Sequence, residues 1–280
     1  MGIEINNNVS SSIIKNNLAL SQSEVEKSII KIASGKKLSA VEDAANLILA
    51  ETLDSQARGS QTAMENSQTG INALQTADAG LGSVNENLQR IRELSVQAAN
   101  GTYGDDERDA IKNEISALTD EINRVANSTS FNKQNLLDGS SNNLTLQTGT
   151  NADSSKNSLN IGDALGSVKT EDLGLLSSDD LKTSLNTSSD FANYIDKIDS
   201  AISGVTGQRS NLGAYQNRLE SNISSLGTTQ ENLISSQSRI RDTDIAAEMS
   251  KLTQNQILSS ASASLLAQAN QMPQIAMTLI

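Results

Sequence analysis

Seven apolar residues, Ile198, Val205, Leu212, Leu219, Leu226, Leu233 and Ile240, stand seven positions apart without a miss. A heptad sustained this far demands one long helix with a continuous apolar partner. Tyr194, Ala201 and Tyr215 lie on an adjoining stripe. Each such side chain, fully buried, contributes about 1.5–3 kcal/mol. A second pair of interleaved series, Leu74, Leu81, Leu88 with Ala77, Val84, Ile91, Ala98, supplies the partner surface. The 280 residues include one proline, against a usual share of about 5%, so the residue that most often stops a helix is nearly missing.

Thinner helical patterns flank these two. Over residues 10–33, Ile14, Leu18, Val25, Ile29 and Ile32 recur at helical spacing, a narrow face that needs a partner to persist. Ser34-Gly35-Lys36-Lys37 reads as a helix end. Ser39 and Glu42 fit a capping box, opening a helix that runs from near Val41 to about Asn100, a rod of roughly 85 Å at about 1.5 Å per residue. Gly59, Gly70, Gly80 and Gly82 weaken it locally, each by about 1 kcal/mol relative to Ala. After a turn at Asn100–Gly104, the acidic start Asp105, Asp106, Glu107 suits a helix N-terminus. Ile111, Ile115, Leu118, Ile122 and Val125 then mark an amphipathic helix ending near Asn127. A last helix carries Ile245, Met249, Leu252, Ile257 or Leu258, Ala261, Leu265 and Ala269, ahead of an apolar tail to Ile280.

Between the two long helices, residues 128–190 are rich in Ser, Thr, Asn, Asp and Gly. Short alternations at Leu144-Thr145-Leu146 and Leu159-Asn160-Ile161 predict hairpin strands there. The expected fold is mainly α: long antiparallel helical rods, terminal helices meeting at one end, and a small β-hairpin tip at about 130–190. Two domains are expected, 1–42 plus 243–280 and 43–242.

Composition narrows the function. With 33 acidic and 21 basic side chains and a net charge of −12, the chain has no electrostatic footprint for nucleic acid. It contains no Cys and no His, which excludes thiol nucleophiles, Ser-His-Asp triads, disulfides and most transition-metal sites. Two Phe, three Tyr and no Trp leave little to wall a deep apolar pocket, so neither an enzyme nor a cofactor is expected. Asp242, Asp244 and Glu248 have the chemistry of a hard-cation site, but a helix cap from Asp244 or Thr243 is the simpler reading. No secretory signal is read at the start, and no apolar run spans a bilayer.

The segment Gln89-Arg90-Ile91-Arg92-Glu93-Leu94-Ser95-Val96-Gln97-Ala98-Ala99-Asn100-Gly101-Thr102, with Asp43-Ala44-Ala45 upstream, resembles the amino-terminal signature of bacterial flagellin. Ser238-Arg239-Ile240-Arg241-Asp242-Thr243-Asp244-Ile245-Ala246-Ala247-Glu248-Met249, with Leu266-Ala267-Gln268-Ala269-Asn270-Gln271, is similar to the carboxyl-terminal one. The resemblance covers roughly residues 1–140 and 190–280. It implies a core-only filament subunit without large outer domains. Its terminal helices would form a coiled coil lining the filament channel, with Ile14, Leu18, Val25, Ile32, Leu252, Leu265, Leu279 and Ile280 as the polymerisation positions. It also implies other copies of the chain as the main partner, an export chaperone, a flagellar type III export apparatus that needs no cleaved signal, and capping and junction proteins.

Two host partners follow from the same resemblance. Toll-like receptor 5 would read Gln89, Arg90, Leu94 and Glu114, although Ala117 and Leu118 stand where longer polar residues are common in the family. Intracellular inflammasome sensors would read the tail at Met277, Leu279 and Ile280. The alternatives are a hook-filament junction protein, which shares the terminal helices, and a secreted membrane-active translocator, which requires a more apolar segment than any present.

Overall fold

A computed structural model describes residues 8–37, 43–141, 143–151 and 153–278. The long elements are α1 (Val9–Ser34), α2 (Ala44–Ala98), α3 (Asp105–Ser128), α6 (Ser188–Arg241) and α7 (Ile245–Thr278). Between α3 and α6 come the short pieces β1 (Ser130–Phe131), β2 (Gln134–Asn135), β3 (Thr145–Gln147), α4 (Ser154–Asn157), β4 (Ser158–Asn160) and α5 (Ser178–Ser184). The chain divides into two compact units, Met1–Ser55 with Glu231–Ile280, and Gln56–Gln230. The capping box read at Ser39 and Glu42, and the tail positions Leu279 and Ile280, lie outside the described residues.

In the Gln56–Gln230 unit, α2 and α6 run antiparallel. Arg92 Nε meets Asp199 Oδ1 at 2.6 Å, and further along Arg209 Nε meets Asp78 Oδ1 at 2.8 Å. The apolar series expected on each helix meet in one core, with Leu74, Leu81, Val84, Leu88 and Ile91 buried beside Ile198, Val205, Leu212 and Leu219. α3 folds back along α2 and adds Ile111, Ile115, Ile122 and Val125. Leu118, on the same expected stripe, is only partly buried. Between α2 and α3, Asn100 Oδ1 accepts from the Thr102 amide at 3.1 Å, and the Glu107 carboxylate accepts from the Gly104 amide at 2.9 Å.

The long heptad is not buried to its end. Burial on α6 is complete through Leu219, while Leu226, Leu233 and Ile240 are half-buried. For Leu226 the reason lies on α2, whose buried stripe continues in threes and fours through Gly70, Ser67, Ala63, Ser60 and Ala57. These small residues offer less surface than Leu74, Leu81 and Leu88 further along α2. Ser60 and Ser67 tolerate burial because each hydroxyl donates to a carbonyl four residues back, Gln56 O at 3.0 Å and Ala63 O at 2.8 Å.

The tip is more than a polar hairpin. β3 and β4 pair antiparallel with Leu146 opposite Leu159, as the alternation predicts. A second hairpin joins β1 to β2 through Asn132 and Lys133, both at positive φ (50° and 66°), the backbone of a tight two-residue turn. The same segment buries Leu136, Leu137, Ile161, Leu165, Val168, Leu181 and Leu185 in the common core and adds the short helix α5. Two glycines of α2 make room for it. A Cβ on Gly70 would collide with Leu146 Cδ1, and one on Gly80 would stand 2.8 Å from both Leu137 Cδ1 and Thr129 Oγ1. Their helix cost is thus offset by close approach of the tip.

Candidate functional site

In the other unit, α1 and α7 pair along their lengths. Asn8 Nδ2 donates to Ala269 O at 2.8 Å, Ser11 Oγ to Asn270 Oδ1 at 2.8 Å, and Ser28 Oγ to Glu248 Oε1 at 2.7 Å, so the helices are antiparallel. Their roots are joined by backbone bonds, Lys37 N to Arg241 O at 2.7 Å and Thr243 N to Gly35 O at 3.0 Å. Gly35 takes the left-handed conformation (φ 68°) that ends α1, as the Ser34–Lys37 break predicts. Asp244 Oδ1 accepts from the amides of Ala246 (2.9 Å) and Ala247 (3.1 Å) and so caps α7.

The seam between the two helices follows strict threes and fours. On α1 it holds Ser11, Ile14, Leu18, Ser21, Val25, Ser28 and Ile32; on α7 it holds Glu248, Leu252, Asn255, Ser259, Ser262, Leu266 and Ala269. Ile14, Leu18, Val25, Ile32 and Leu252 therefore stand where the sequence expects them. Leu265 does not: it is 53% exposed, and Leu266 occupies the seam. Ile29, Ile245, Met249, Ile257 and Leu258 are likewise exposed. The physical reason is that a stripe drawn through the largest apolar side chains drifts off a seam of which half is Ser, Asn and Glu. Extending the heptad from Ile14 and Leu18 regardless of polarity would have found Ser21 and Ser28.

The consequence is that large apolar side chains lie on both sides of each helix. Val9, Ile13, Leu20 and Ile30 on α1, with Ile257 and Met272 on α7, face away from the seam and are about half-exposed or more. On α7 a shallow groove of about 470 Å³ runs over Ser250, Thr253, Gln254, Ile257 and Leu258. Side chains of this size left in water in such number mark an interaction surface.

The expected receptor positions lie in the Gln56–Gln230 unit. Gln89, Arg90 and Glu114 are exposed on α2 and α3. Arg90 Nη2 meets Glu114 Oε1 at 2.8 Å and its Nη1 meets Glu93 Oε2 at 3.2 Å. Hydrogen bonds from Glu114 and then Glu93 raise the guanidinium's pKa further above its ordinary value. Leu94 is only 2% exposed and belongs to the core, because it lies on the buried face of α2 with Ile91 and Ala98. It offers a receptor no surface, which corrects that expectation. Among the described residues no group of three or more Asp or Glu is placed to hold a metal ion, and no helix is long and apolar enough to cross a membrane.

Residues 5–142 match the bacterial flagellin N-terminal helical region and residues 195–280 the bacterial flagellin C-terminal helical region. The chain is 41% identical over 305 residues to a flagellin of Bacillus subtilis (strain 168), covering 99% of this chain and 100% of that protein. It is 37% identical over 287 residues to the flagellar filament 30.7 kDa core protein of Treponema maltophilum, covering 99% of each. The solved structure of a putative flagellar hook-associated protein from Vibrio parahaemolyticus aligns with a TM-score of 0.54 at 17% identity, over 72% of this chain and 100% of that one, a likeness of fold.

Proposed function

The chain belongs to the bacterial flagellin family, and from that premise we propose that it is a structural subunit that polymerises into the flagellar filament through its terminal helices. One observation carries the reading: α1 and α7 give about half of their shared seam to Ser, Asn and Glu, yet leave Val9, Ile13, Leu20, Ile30, Ile257, Leu265 and Met272 outward. Burial in a monomer would have put more of these large side chains in the seam. Other copies of the same chain are the occupants that cover those faces. Residues 1–42 and 243–280 are the inner, channel-lining part, and residues 43–242 form the surrounding rod. No catalytic step is assigned.

The test is polymerisation of the full chain, followed by electron microscopy and circular dichroism. Ile257→Asp and Leu265→Asp, both off the seam, keep the free chain's helix content and raise the concentration needed for filaments by about a hundredfold or more, since a buried unpaired charge is costly. Filaments forming from both variants as readily as from the parent would refute the role of these faces.

The family further supports export through the flagellar type III apparatus with a dedicated chaperone, and capping and junction proteins at the filament ends. A chain with no cysteine and one proline has no disulfide to block an unfolded passage. The exposed Gln89, Arg90 and Glu114 support recognition by Toll-like receptor 5, and a binding assay with Arg90→Ala showing no loss would remove that assignment. The tail, including Met277, Leu279 and Ile280, is assigned to inflammasome sensors on resemblance alone.

A further inference from the structure

Among the described residues, Ser28 is the buried residue of α1 and Glu248 the buried residue of α7, at 3% and 8% exposure. The most enclosed contact of the helix pair is therefore a hydroxyl donating to a carboxylate at 2.7 Å. The second carboxylate oxygen, Oε2, is 3.6 Å from Lys251 Nζ. Lys251 lies one turn along the same helix and stays beside Oε2 in any alignment, so Oε1 is the oxygen whose partner depends on the register. Every other seam position is half-buried, and apolar contact is non-directional, so Ile14, Leu18 and Leu252 tolerate several alignments. A buried polar pair does not, because misalignment strands a carboxylate in a dry seam.

We propose that Ser28 and Glu248 form the lock that sets the register of α1 on α7. The device is the helix-pair counterpart of a single polar residue in an apolar coiled-coil seam, which specifies register at some expense of stability. The strongest competitor is visible in the seam itself. Ser21 lies one heptad before Ser28, and a slide of about 10.5 Å would bring Glu248 opposite it. That slide keeps a hydroxyl against Glu248 but gives up the backbone bonds from Lys37 to Arg241 and from Thr243 to Gly35, so the root excludes it in the parent, and removing the Ser28 hydroxyl leaves the contact to the slid register alone. The inference rests on the filament reading in one respect: the cross-links are read on polymerised chain, where neighbouring copies cover α1 and α7.

Because the chain has no cysteine, disulfide trapping on the full chain reads the register directly. The pair Ser11→Cys/Asn270→Cys reports the observed alignment, in which these side chains touch. The pair Ser11→Cys/Ala263→Cys reports the one-heptad slide. Adding Ser28→Ala raises the slid-to-native cross-link ratio about tenfold, whereas Glu248→Gln, which still accepts the hydroxyl, leaves it unchanged. If Ser28→Ala abolishes both cross-links, adding Glu248→Leu restores helix pairing without restoring the preference, since only the stranded carboxylate explains that rescue. A ratio unmoved by Ser28→Ala in a still-paired chain overturns the lock, and no 11–270 cross-link in the parent overturns the pairing itself. Failure of the parent to polymerise counts against the filament reading, whereas a polymerised parent whose ratio Ser28→Ala does not move counts against the lock alone.

Discussion

Gly80 and Gly82 stand two residues apart on α2, and replacing each with alanine should have opposite effects. Alanine gains about 0.8–1.0 kcal/mol over glycine in a helix interior. At Gly82 an added Cβ meets nothing within 4 Å, so Gly82→Ala keeps that whole gain. At Gly80 the Cβ falls 2.8 Å from Leu137 Cδ1 and Thr129 Oγ1 and 3.1 Å from Thr129 Cγ2. Neither neighbour yields easily: Leu137 is fully buried, and Thr129 Oγ1 donates to Val125 O at 2.8 Å. Overpacking of this kind costs about 1–3 kcal/mol, which leaves Gly80→Ala between neutral and about 2 kcal/mol destabilised. The two variants therefore differ by about 1–3 kcal/mol, or about 2–12 °C in unfolding midpoint for a unit of this size. Thermal and guanidinium unfolding of the full chain, followed by helix circular dichroism, measures the difference. Equal stabilisation by both substitutions would refute the claim that Gly80 is a notch for the tip.

Two further outcomes follow from burial. Tyr194, buried in the core, has its pKa pushed up to about 12 by desolvation; the unfolded chain ionises it from about pH 10, so stability is intact below that and falls by about 2–3 kcal/mol towards pH 12. Tyr194→Phe should flatten that part of the alkaline unfolding curve, and an unchanged slope contradicts the assignment. Leu94→Ala should destabilise the chain by about 2–5 kcal/mol through a core cavity, whereas Arg90→Ala, which removes exposed ion pairs, should leave the unfolding midpoint nearly unmoved; denaturant titration of both separates a core leucine from a surface arginine.

Much of the fold was legible because it is written in periods. The heptads of α2 and α6 and the alternation around Leu146 and Leu159 each name a structure with a single side-chain repeat. The burial of Leu136, Leu165 and Leu181 was not legible, since isolated leucines in a Ser/Asn-rich segment carry no period. Nor was the hairpin at Asn132 and Lys133, whose turn lacks the glycine that usually signals it. Around the terminal helices the apolar search found Ile14, Leu18, Val25, Ile32 and Leu252 but chose Leu265 over Leu266, and passed over Ser28 and Glu248. A stripe ranked by hydrophobicity cannot find the half of the seam that is hydroxyl, amide and carboxylate.

The sequence by itself determined which segments are helices and where they break, because local periodicity, caps and the scarcity of proline act within a few residues. It also carried the paired signatures that mark the family. Which side of α1 and α7 meets the other, where the long heptad loses its partner, and which glycines are notches were decided only by tertiary structure. Those outcomes depend on groups far apart in the chain, such as Ser28 with Glu248 and Gly80 with Leu137, whose contact no local pattern encodes.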